Sequence, residues 1–449
     1  MKLRNQLLAL FCLLVFIAVG ILYFRTWVVQ KPFGIIVFLG DGLTSDTLTT
    51  ARIYEGGADH RLVLEKFPNM ALMTNYAYDF AVPDAGAAAS AFATGVKTNN
   101  RSLSVDPHGA PIRSILEEAQ KEGRSIGIVT NGKLTDPGVA AFYAHVTNSG
   151  ESEKIAAQFC DESRLDVAFG GGAEDFVPES KGGRRKDGRD LLLEFKQKDR
   201  TLARNKADLE NAPAFRTSPI VGIFSHAEMP YSNQVESNLR GPSNPGVVPT
   251  PSQNASPNAQ GQSGSQPPSL SDMVRRAIEF LQLDPNGYLL VVDNELATRA
   301  AEKNDGEHVL TETLDLDHSI ATAMRYAGDN SLLLAVGKHA TGGMTLNGFP
   351  LRRDHGVSLL GLNAFGHPSI SWASGPNGPL PPAQTGTNVV GSEPATAQTT
   401  PQNSPAAFYA PSALNCAGDV IAVGSGPGSE RIKGFMDNTA IYRILKENL

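Results

Sequence analysis

The chain has 449 residues, with 39 Lys and Arg against 46 Asp and Glu, and a formal net charge of -7. Because the basic residues are scattered rather than gathered into stripes, this charge pattern excludes nucleic acid as an expected partner. The length allows a sizeable core, and α/β enzymes of this size often form one large sheet domain with insertions.

An apolar segment begins the chain. Lys2 and Arg4 precede residues 7–24, a stretch long enough to reach the lower end of a membrane-spanning helix. Bulky residues (23–27, YFRTW) follow it instead of the small residues of a cleavage site. We therefore predict a signal anchor within residues 1–30, with residues 31–449 exported to the periplasmic or extracellular face; a cleaved signal is the alternative.

Strand and helix patterns alternate after the anchor. Continuous apolar runs predict buried strands at 34–42, 125–131, 287–294 and 331–339. Helical patterns lie at 113–123, 152–164, 269–283 and 311–328, with Ser269 as an N-cap and Gly328 as a stop. This order predicts an α/β fold, a doubly wound and mostly parallel sheet with helices on both faces, whose functional residues lie at the carboxyl ends of strands.

Two segments do not fit that sheet. Residues 232–268 and 375–412 are rich in Pro, Gly, Ser, Asn and Gln and poor in large apolar residues. Such segments cannot bury enough surface to order themselves, so we predict two low-complexity surface insertions in the domain 31–449.

Three motifs give the chain a resemblance to the alkaline phosphatase family. They are Gly40-Asp41-Gly42 at a strand end, PDAGAAASAFATGVKTNN (83–100) and GSGPGSERIKGFMDNTAIYRIL (424–445). The resemblance covers nearly all of residues 33–445 outside the insertions. It implies the fold described above and a phosphomonoesterase that uses a serine nucleophile between two zinc ions, with a magnesium ion nearby. Such chemistry depends on positioning and on neutralising charge.

The residue at the nucleophile position is Ala85. Aligned without gaps from Asp84, the family's serine falls on this alanine, and a methyl group cannot attack phosphorus. Ser90 lies five positions further on and would point elsewhere. The family's phosphate-binding arginine falls on Ser149, which removes the guanidinium fork that matches phosphate geometry. The resemblance therefore implies no catalytic residue at either position.

The first zinc site is also changed. Its expected ligands are Thr298, Glu302 and Asn415. Neutral Thr and Asn oxygens with a single carboxylate make a poor zinc site, because zinc prefers imidazole, thiolate and carboxylate. We predict that this site is lost.

The second zinc site retains Asp41 and His339, but Lys338 replaces its aspartate ligand. An ammonium has no lone pair to offer and repels a divalent ion at short range. Two interpretations follow. Lys338 offsets the charge of Asp41 in place of a metal, or it extends to solvent.

The magnesium position keeps oxygen ligands. Asp41, Asp136 and Asp293 supply carboxylates, whereas the expected threonine is Gly138. One hypothesis is a single residual Mg²⁺ at a site formed by these carboxylates and His339. The other is that Lys338 and hydrogen bonds neutralise the cluster.

These substitutions predict an inactive member of the family, a pseudo-phosphatase. Its role would be to hold an anion with Lys97, Arg299, Lys338 and His339, or to bind a protein as a homodimer or as a heterodimer with an active paralogue. The alternative is a weak metal-dependent phosphomonoester hydrolase that uses metal-bound water at Asp41, Asp136, Asp293 and His339.

Overall fold

The computed structural model describes residues 2–23, 31–198, 200–213, 218–235, 266–347, 353, 357–362, 365–379 and 404–449. The helices of these residues are α1 (Lys2–Tyr23), α2 (Ser45–Gly56), α3 (Ala85–Thr94), α4 (Ile115–Lys121), α5 (Pro137–Ala140), α6 (Ser152–Asp161), α7 (Leu191–Gln197), α8 (Lys206–Asn211), α9 (Leu270–Leu281), α10 (Glu295–Ala301), α11 (Gly306–Tyr326) and α12 (Ala440–Asn448). The strands are β1 (Gly34–Gly40), β2 (Asn69–Thr74), β3 (Ser125–Lys133), β4 (Val167–Gly171), β5 (Thr201–Ala203), β6 (Ile220–Ile223), β7 (Tyr288–Asn294), β8 (Ser331–Gly337), β9 (Ala340–Thr341), β10 (Thr345–Leu346), β11 (Ile370–Gly375), β12 (Ala406–Tyr409), β13 (Asn415–Cys416), β14 (Val420–Ser425) and β15 (Gly434–Asp437).

Ten strands form one large sheet. Their order is β15-β2-β14-β8-β1-β7-β3-β4-β6-β5. Within this sheet β14 runs antiparallel to its neighbours β2 and β8, and the other described pairs are parallel. The predicted mostly parallel α/β sheet is confirmed.

Alternate residues of the central strand β1 enter two different cores. Ile35 and Val37 pack on one face, in a cluster that includes residues of α3, α4, α6 and α12. Ile36 and Phe38 pack on the other face with residues of α2, α9, α10 and α11. Because a strand directs successive side chains to opposite faces, a fully apolar strand requires helices on both sides. This explains the continuous apolar pattern of residues 34–40.

The four predicted strands and four predicted helices all form, with shifted ends. Ser269 caps α9 by accepting a hydrogen bond from the Asp272 backbone N–H at 3.1 Å, as expected. α11 begins at Gly306, five residues before the predicted start, because the Asp305 side chain caps it by accepting from His308 N at 3.2 Å.

The second predicted insertion needs a correction. Residues 406–409, placed by composition in the insertion 375–412, form β12, which pairs in parallel with β11. Ala406 is buried there, so a short apolar segment after a polar one was sufficient to form a strand. Residues 236–265 and 380–403, the greater part of the two predicted insertions, lie outside the described residues.

The N-terminal segment forms α1, and its described side chains, residues 4–20, are exposed. Judged on the described residues, no helix combines the length and the apolar character needed to cross a membrane. The signal anchor within residues 1–30 stays a prediction.

Candidate functional site

The candidate site lies where three neighbouring strands end. β1 is hydrogen-bonded to β7 on one side and to β8 on the other, with Gly40 opposite Asn294 and Gly337. Asp41, Glu295 and Lys338, the residues that follow these three, therefore meet at one edge of the sheet. Carboxyl ends of parallel strands are where α/β folds place functional groups.

Lys338 forms the centre of this site. Its side chain is fully buried, and its Nζ lies 3.0 Å from Asp41 Oδ1, 2.9 Å from Asp293 Oδ1 and 2.9 Å from Glu295 Oε2. His339, also buried, has its Nδ1 3.6 Å from Asp41 Oδ1, which is beyond hydrogen-bonding distance. Of the two sequence interpretations, the one in which Lys338 offsets the charge of Asp41 is confirmed, and the solvent-exposed one is wrong.

The charges of this cluster shift the pKa of its members in opposite directions. Burial alone would raise the pKa of Asp41, but Lys338, His339 and Thr298 together lower it. Burial, opposed by Lys338 and reinforced by Asp41 and Glu295, raises the pKa of Asp293 to about 8. The pKa of Lys338 is well above its usual value despite burial, because three carboxylates surround it. The surroundings therefore favour the charged form of Lys338 and the protonated form of Asp293.

Gly138 borders the ammonium directly. A Cβ added at this glycine would lie 2.5 Å from Lys338 Nζ and 2.6 Å from Asp293 Oδ2. Contacts this short do not occur between real side chains, so the missing side chain at 138 leaves the space that the Lys338 head group and the Asp293 carboxylate use.

Arg299 is a second, half-buried cation beside the first. Its Nη2 lies 3.2 Å from Asp136 Oδ1 and 3.2 Å from Glu295 Oε1, so Glu295 joins the two cations. Its guanidinium also contacts Glu302 at 3.5 Å and Glu228 at 3.8 Å. Burial and Glu295 raise the pKa of Asp136 to about 7, although Arg299 opposes them. Acidic groups outnumber cations in this network, and the pKa values of Asp136 and Asp293 are both raised.

The predicted magnesium ligands do not fit one ion. An ion bound by both Asp41 and Asp293 would occupy the place of Lys338 Nζ, and Asp136 is paired with Arg299 instead. Among the described residues, the acidic, Cys and His atoms close enough together to hold an ion belong to a different group, Cys160, Asp161 and Glu194. Arg189 binds both carboxylates of that group. The hypothesis of a residual Mg²⁺ at the cluster is therefore not supported by this geometry.

The residues at the first zinc position have separate hydrogen-bond partners. Thr298 donates to Asp41 Oδ2 at 2.5 Å, and Glu302 pairs with Arg299. Asn415 accepts from Thr341 at 3.0 Å and donates to the Pro83 carbonyl at 3.2 Å, which links β13 to the loop before α3. These side chains connect neighbouring elements to one another.

Ala85 is the first residue of α3. Asp84 caps the helix, because its Oδ1 accepts from Ala87 N at 2.8 Å and its Oδ2 accepts from Arg101 N at 2.6 Å. Ser90 is fully buried and its Oγ accepts from Ser104 N at 2.9 Å, so it points into the core as expected. Ser90 therefore cannot replace the missing nucleophile.

A cavity of about 260 Å³ lies against Asp41 and Thr298, between the start of α2, α10 and β9–β10. Among the described residues that line it, none is Lys, Arg or His, whereas Asp41, Asp46 and Asp419 are acidic. Trp372 also lines it, and its buried indole Nε1 has no hydrogen-bond partner among the described residues. The cavity thus offers hydroxyls, carboxylates and an indole, and its charge disfavours an anion.

The cations predicted to hold an anion already have acidic partners. Lys338 and Arg299 are paired within the cluster, and Lys97 lies 3.2 Å from Asp437 and over the ring of Tyr76. The sequence interpretation missed Glu295, which joins Lys338 to Arg299 at the start of α10. Its position two residues after Asp293 at a strand end was a usable signal.

Comparison with known proteins gives a consistent family. A family model described as alkaline phosphatase matches residues 34–449. The alkaline phosphatase of Gadus morhua is 27% identical over 382 residues, which cover 75% of this chain and 74% of that protein.

Solved structures agree with the sequence comparison. The alkaline phosphatase from the Antarctic bacterium TAB5 superposes with a TM-score of 0.69 at 22% identity, covering 93% of this chain and 98% of that one. A His-to-Asp variant of the TAB5 enzyme, with Mg bound in its M3 site, gives a TM-score of 0.66 at 21% identity and covers 94% and 98%. The fold is shared, and a relative in that fold binds metal.

Proposed function

The chain belongs to the alkaline phosphatase family, and on that premise we propose that it is a member without metal-dependent phosphomonoesterase turnover. The observation that carries this proposal is the position of Lys338. Its Nζ lies between Asp41 and Asp293 at about 3 Å from each, where the family's chemistry needs a divalent ion. An ammonium cannot act as a Lewis acid or generate a bound hydroxide.

Two further substitutions support the same proposal. Ala85 at the start of α3 offers no nucleophile, and Ser149 offers no guanidinium for phosphate. The alternative, a weak hydrolase that uses metal-bound water, requires Asp41, Asp136 and Asp293 to share an ion, and these side chains are paired with Lys338 and Arg299 instead.

A turnover assay tests the proposal. The full chain, purified in detergent, is incubated with p-nitrophenyl phosphate and added zinc and magnesium, with an active alkaline phosphatase assayed in parallel. We expect release of p-nitrophenol at the rate of a metal-stripped sample. Turnover that depends on added metal would refute the proposal.

For its non-catalytic role we propose protein binding, as a homodimer or with an active paralogue. The cavity beside Asp41 disfavours an anion. At the end of the strand order formed by β15 and β2, by contrast, Met70 on β2 is 65% exposed and Phe435 on β15 is 76% exposed. Tyr78 and Phe80, in the loop after β2, are exposed too. Exposed apolar side chains that lie together mark interaction sites, and Met70 and Phe435 lie on neighbouring strands. A Phe435→Glu variant should lower the oligomer fraction in light scattering, and an unchanged mass distribution would count against this surface.

We also propose that residues 1–30 attach the protein to a membrane, with the sheet domain exported. The apolar run 7–24 and its basic N-terminal flank support this. Alkaline extraction of membranes tests it, because an anchored chain stays in the pellet and a peripheral one is released.

A further inference from the structure

We infer that Gly138 and Lys338 form a matched pair through which the protein carries its own cation, so that its folded state needs no divalent ion. This inference rests on the proposed function, since it concerns the same cluster. It goes further, because it assigns a role to Gly138 and states when a metal site would open.

The glycine at 138 is required for space. Its φ is not in the left-handed region that favours glycine, so backbone conformation does not demand it. A side chain there would place its first carbon 2.5 Å from Lys338 Nζ and 2.6 and 2.8 Å from the two carboxylate oxygens of Asp293. Any residue other than glycine therefore collides with the ion pair itself.

Moving the Lys338 head group is costly. It is fully buried, and three carboxylates lie 2.9–3.0 Å from it, one directly after β1, one on β7 and one at the start of α10. Displacing it would leave Asp41 and Asp293 buried without a cation and Glu295 with Arg299 alone, which is far more costly than the loss of one surface pair. A threonine at 138 and a lysine at 338 therefore destabilise each other.

Two arrangements can neutralise this cluster. In the arrangement implied by the family resemblance, an aspartate at 338 is a ligand of the second zinc ion, a threonine at 138 is a ligand of the magnesium ion, and Asp41 is a ligand of both. In this chain an ammonium supplies the positive charge instead, and a glycine makes room for it. Restoring both residues would return oxygen ligands to the space that Nζ now fills, next to Asp41 and Asp293.

The unmodified protein gives the first test. We expect the thermal midpoint of the full chain to be the same in EDTA, in Mg²⁺ and in Zn²⁺, and metal analysis of the purified protein to find no stoichiometric ion. A midpoint that falls in EDTA and recovers with Mg²⁺ or Zn²⁺ would overturn the inference. The turnover assay is a separate measurement, so failure of this inference and failure of the proposed function are distinguishable.

Variants give the second test. Gly138→Thr alone should lower the midpoint by several degrees, whereas Gly418→Thr, at an exposed glycine whose added Cβ meets nothing within 4 Å, should not. In a Lys338→Asp background we expect Gly138→Thr to cost less, and Mg²⁺ to raise the midpoint of the double variant. An equal loss in both backgrounds would contradict the pairing. Should the variants not fold, the metal-independence of the unmodified chain still decides the inference.

Discussion

Lys338 neutralises a group of carboxylates that the interior could not otherwise contain. Asp41, Asp293 and Glu295 are each at most 3% exposed, and moving an unpaired charge into such a site costs several kcal/mol. Each carboxylate contacts the same Nζ, so the loss of this one side chain would remove a partner from all three, although Glu295 would keep Arg299. The stability of the carboxyl ends of β1, β7 and β8 therefore depends on Lys338 more than on a residue of a typical ion pair.

Replacing Lys338 with methionine should lower the free energy of unfolding by roughly 3–5 kcal/mol, the range for breaking a buried pair. Methionine keeps much of the length and removes the charge, so the loss reports the ammonium. Urea denaturation followed by circular dichroism measures it.

The matched control is Lys181→Met, since Lys181 pairs with Asp190 at 2.8 Å but is 58% exposed. Exposed pairs contribute about 0–1 kcal/mol, so this variant should unfold almost like the unmodified chain. Equal losses for the two variants would show that burial of Lys338 has no special energetic role.

A serine introduced at position 85 should not bring about phosphomonoester hydrolysis. Its hydroxyl would stand at the first position of α3, where Ser149 provides no guanidinium for phosphate and Lys338 occupies the place of an ion. An unactivated serine is a weak nucleophile. We expect the Ala85→Ser protein to hydrolyse p-nitrophenyl phosphate no faster than the unmodified chain, and metal-dependent turnover of this variant would contradict the expectation.

At the scale of secondary-structure elements, the sequence predicted which residues lie at the ends of neighbouring strands. The apolar runs 34–42, 287–294 and 331–339 predicted parallel strands, and parallel strands bring their carboxyl ends together, so the proximity of Asp41, Asp293 and Lys338 followed from sequence. The direction of the Lys338 side chain did not follow, because a flexible four-carbon stem can reach either solvent or a buried acid. The fit of Gly138 against Nζ depends on ångström-scale packing, which periodicity does not contain.

Helix starts were predictable where side chains form a local motif. Ser269 caps α9 with a reciprocal pair, since its Oγ accepts from Asp272 N while Asp272 Oδ2 accepts from Ser269 N. Ser269→Ala should destabilise the protein by about 1 kcal/mol, the usual cost of losing an N-cap.

A suitable comparison for Ser269→Ala is Thr322→Ala in α11, whose hydroxyl only donates to the His318 carbonyl one turn earlier. Such bonds within a helix add little stability. A loss at Thr322 as large as that at Ser269 would show that hydroxyl removal in general, rather than capping, is being measured.

At the scale of the whole molecule, the ten-stranded sheet of the described residues has a core on each face. Both cores were predictable because alternation of strands and helices requires helices on two faces. Composition alone misplaced residues 406–409, since β12 forms by pairing with β11, a contact distant in sequence from any local signal. Long-range pairing of this kind is also what a single sequence reveals least.

The net effect of the buried acids should appear in the pH dependence of stability. Burial raises the pKa of Asp293 to about 8 and those of Asp136 and Glu312 to about 7, whereas the same carboxyls in the unfolded chain ionise near their usual values of about 4. Between pH 5 and 9 the folded state therefore binds more protons than the unfolded one, and stability falls as the pH rises.

The two half-buried histidines act in the same direction as the acids. Burial lowers the pKa of His145 and His308, but pairing with Glu117 and Asp305 raises it by more, so the stability that these histidines contribute is also lost as the pH rises. The lowered pKa of Asp41 acts in the opposite sense, but only where the pH falls below about 4.

Asp293→Asn isolates the cluster from these other groups, because the amide has no proton to lose. We expect the urea midpoint of this variant to fall less between pH 5 and 9 than that of the unmodified chain. Asp161→Asn is the control, since hydrogen bonds from Arg189 lower the pKa of Asp161 to about 2 and keep it ionised throughout this range. The urea midpoints of Asp293→Asn and Asp161→Asn could instead both fall as steeply between pH 5 and 9 as that of the unmodified chain. The proton uptake would then have to be on another carboxyl of the network.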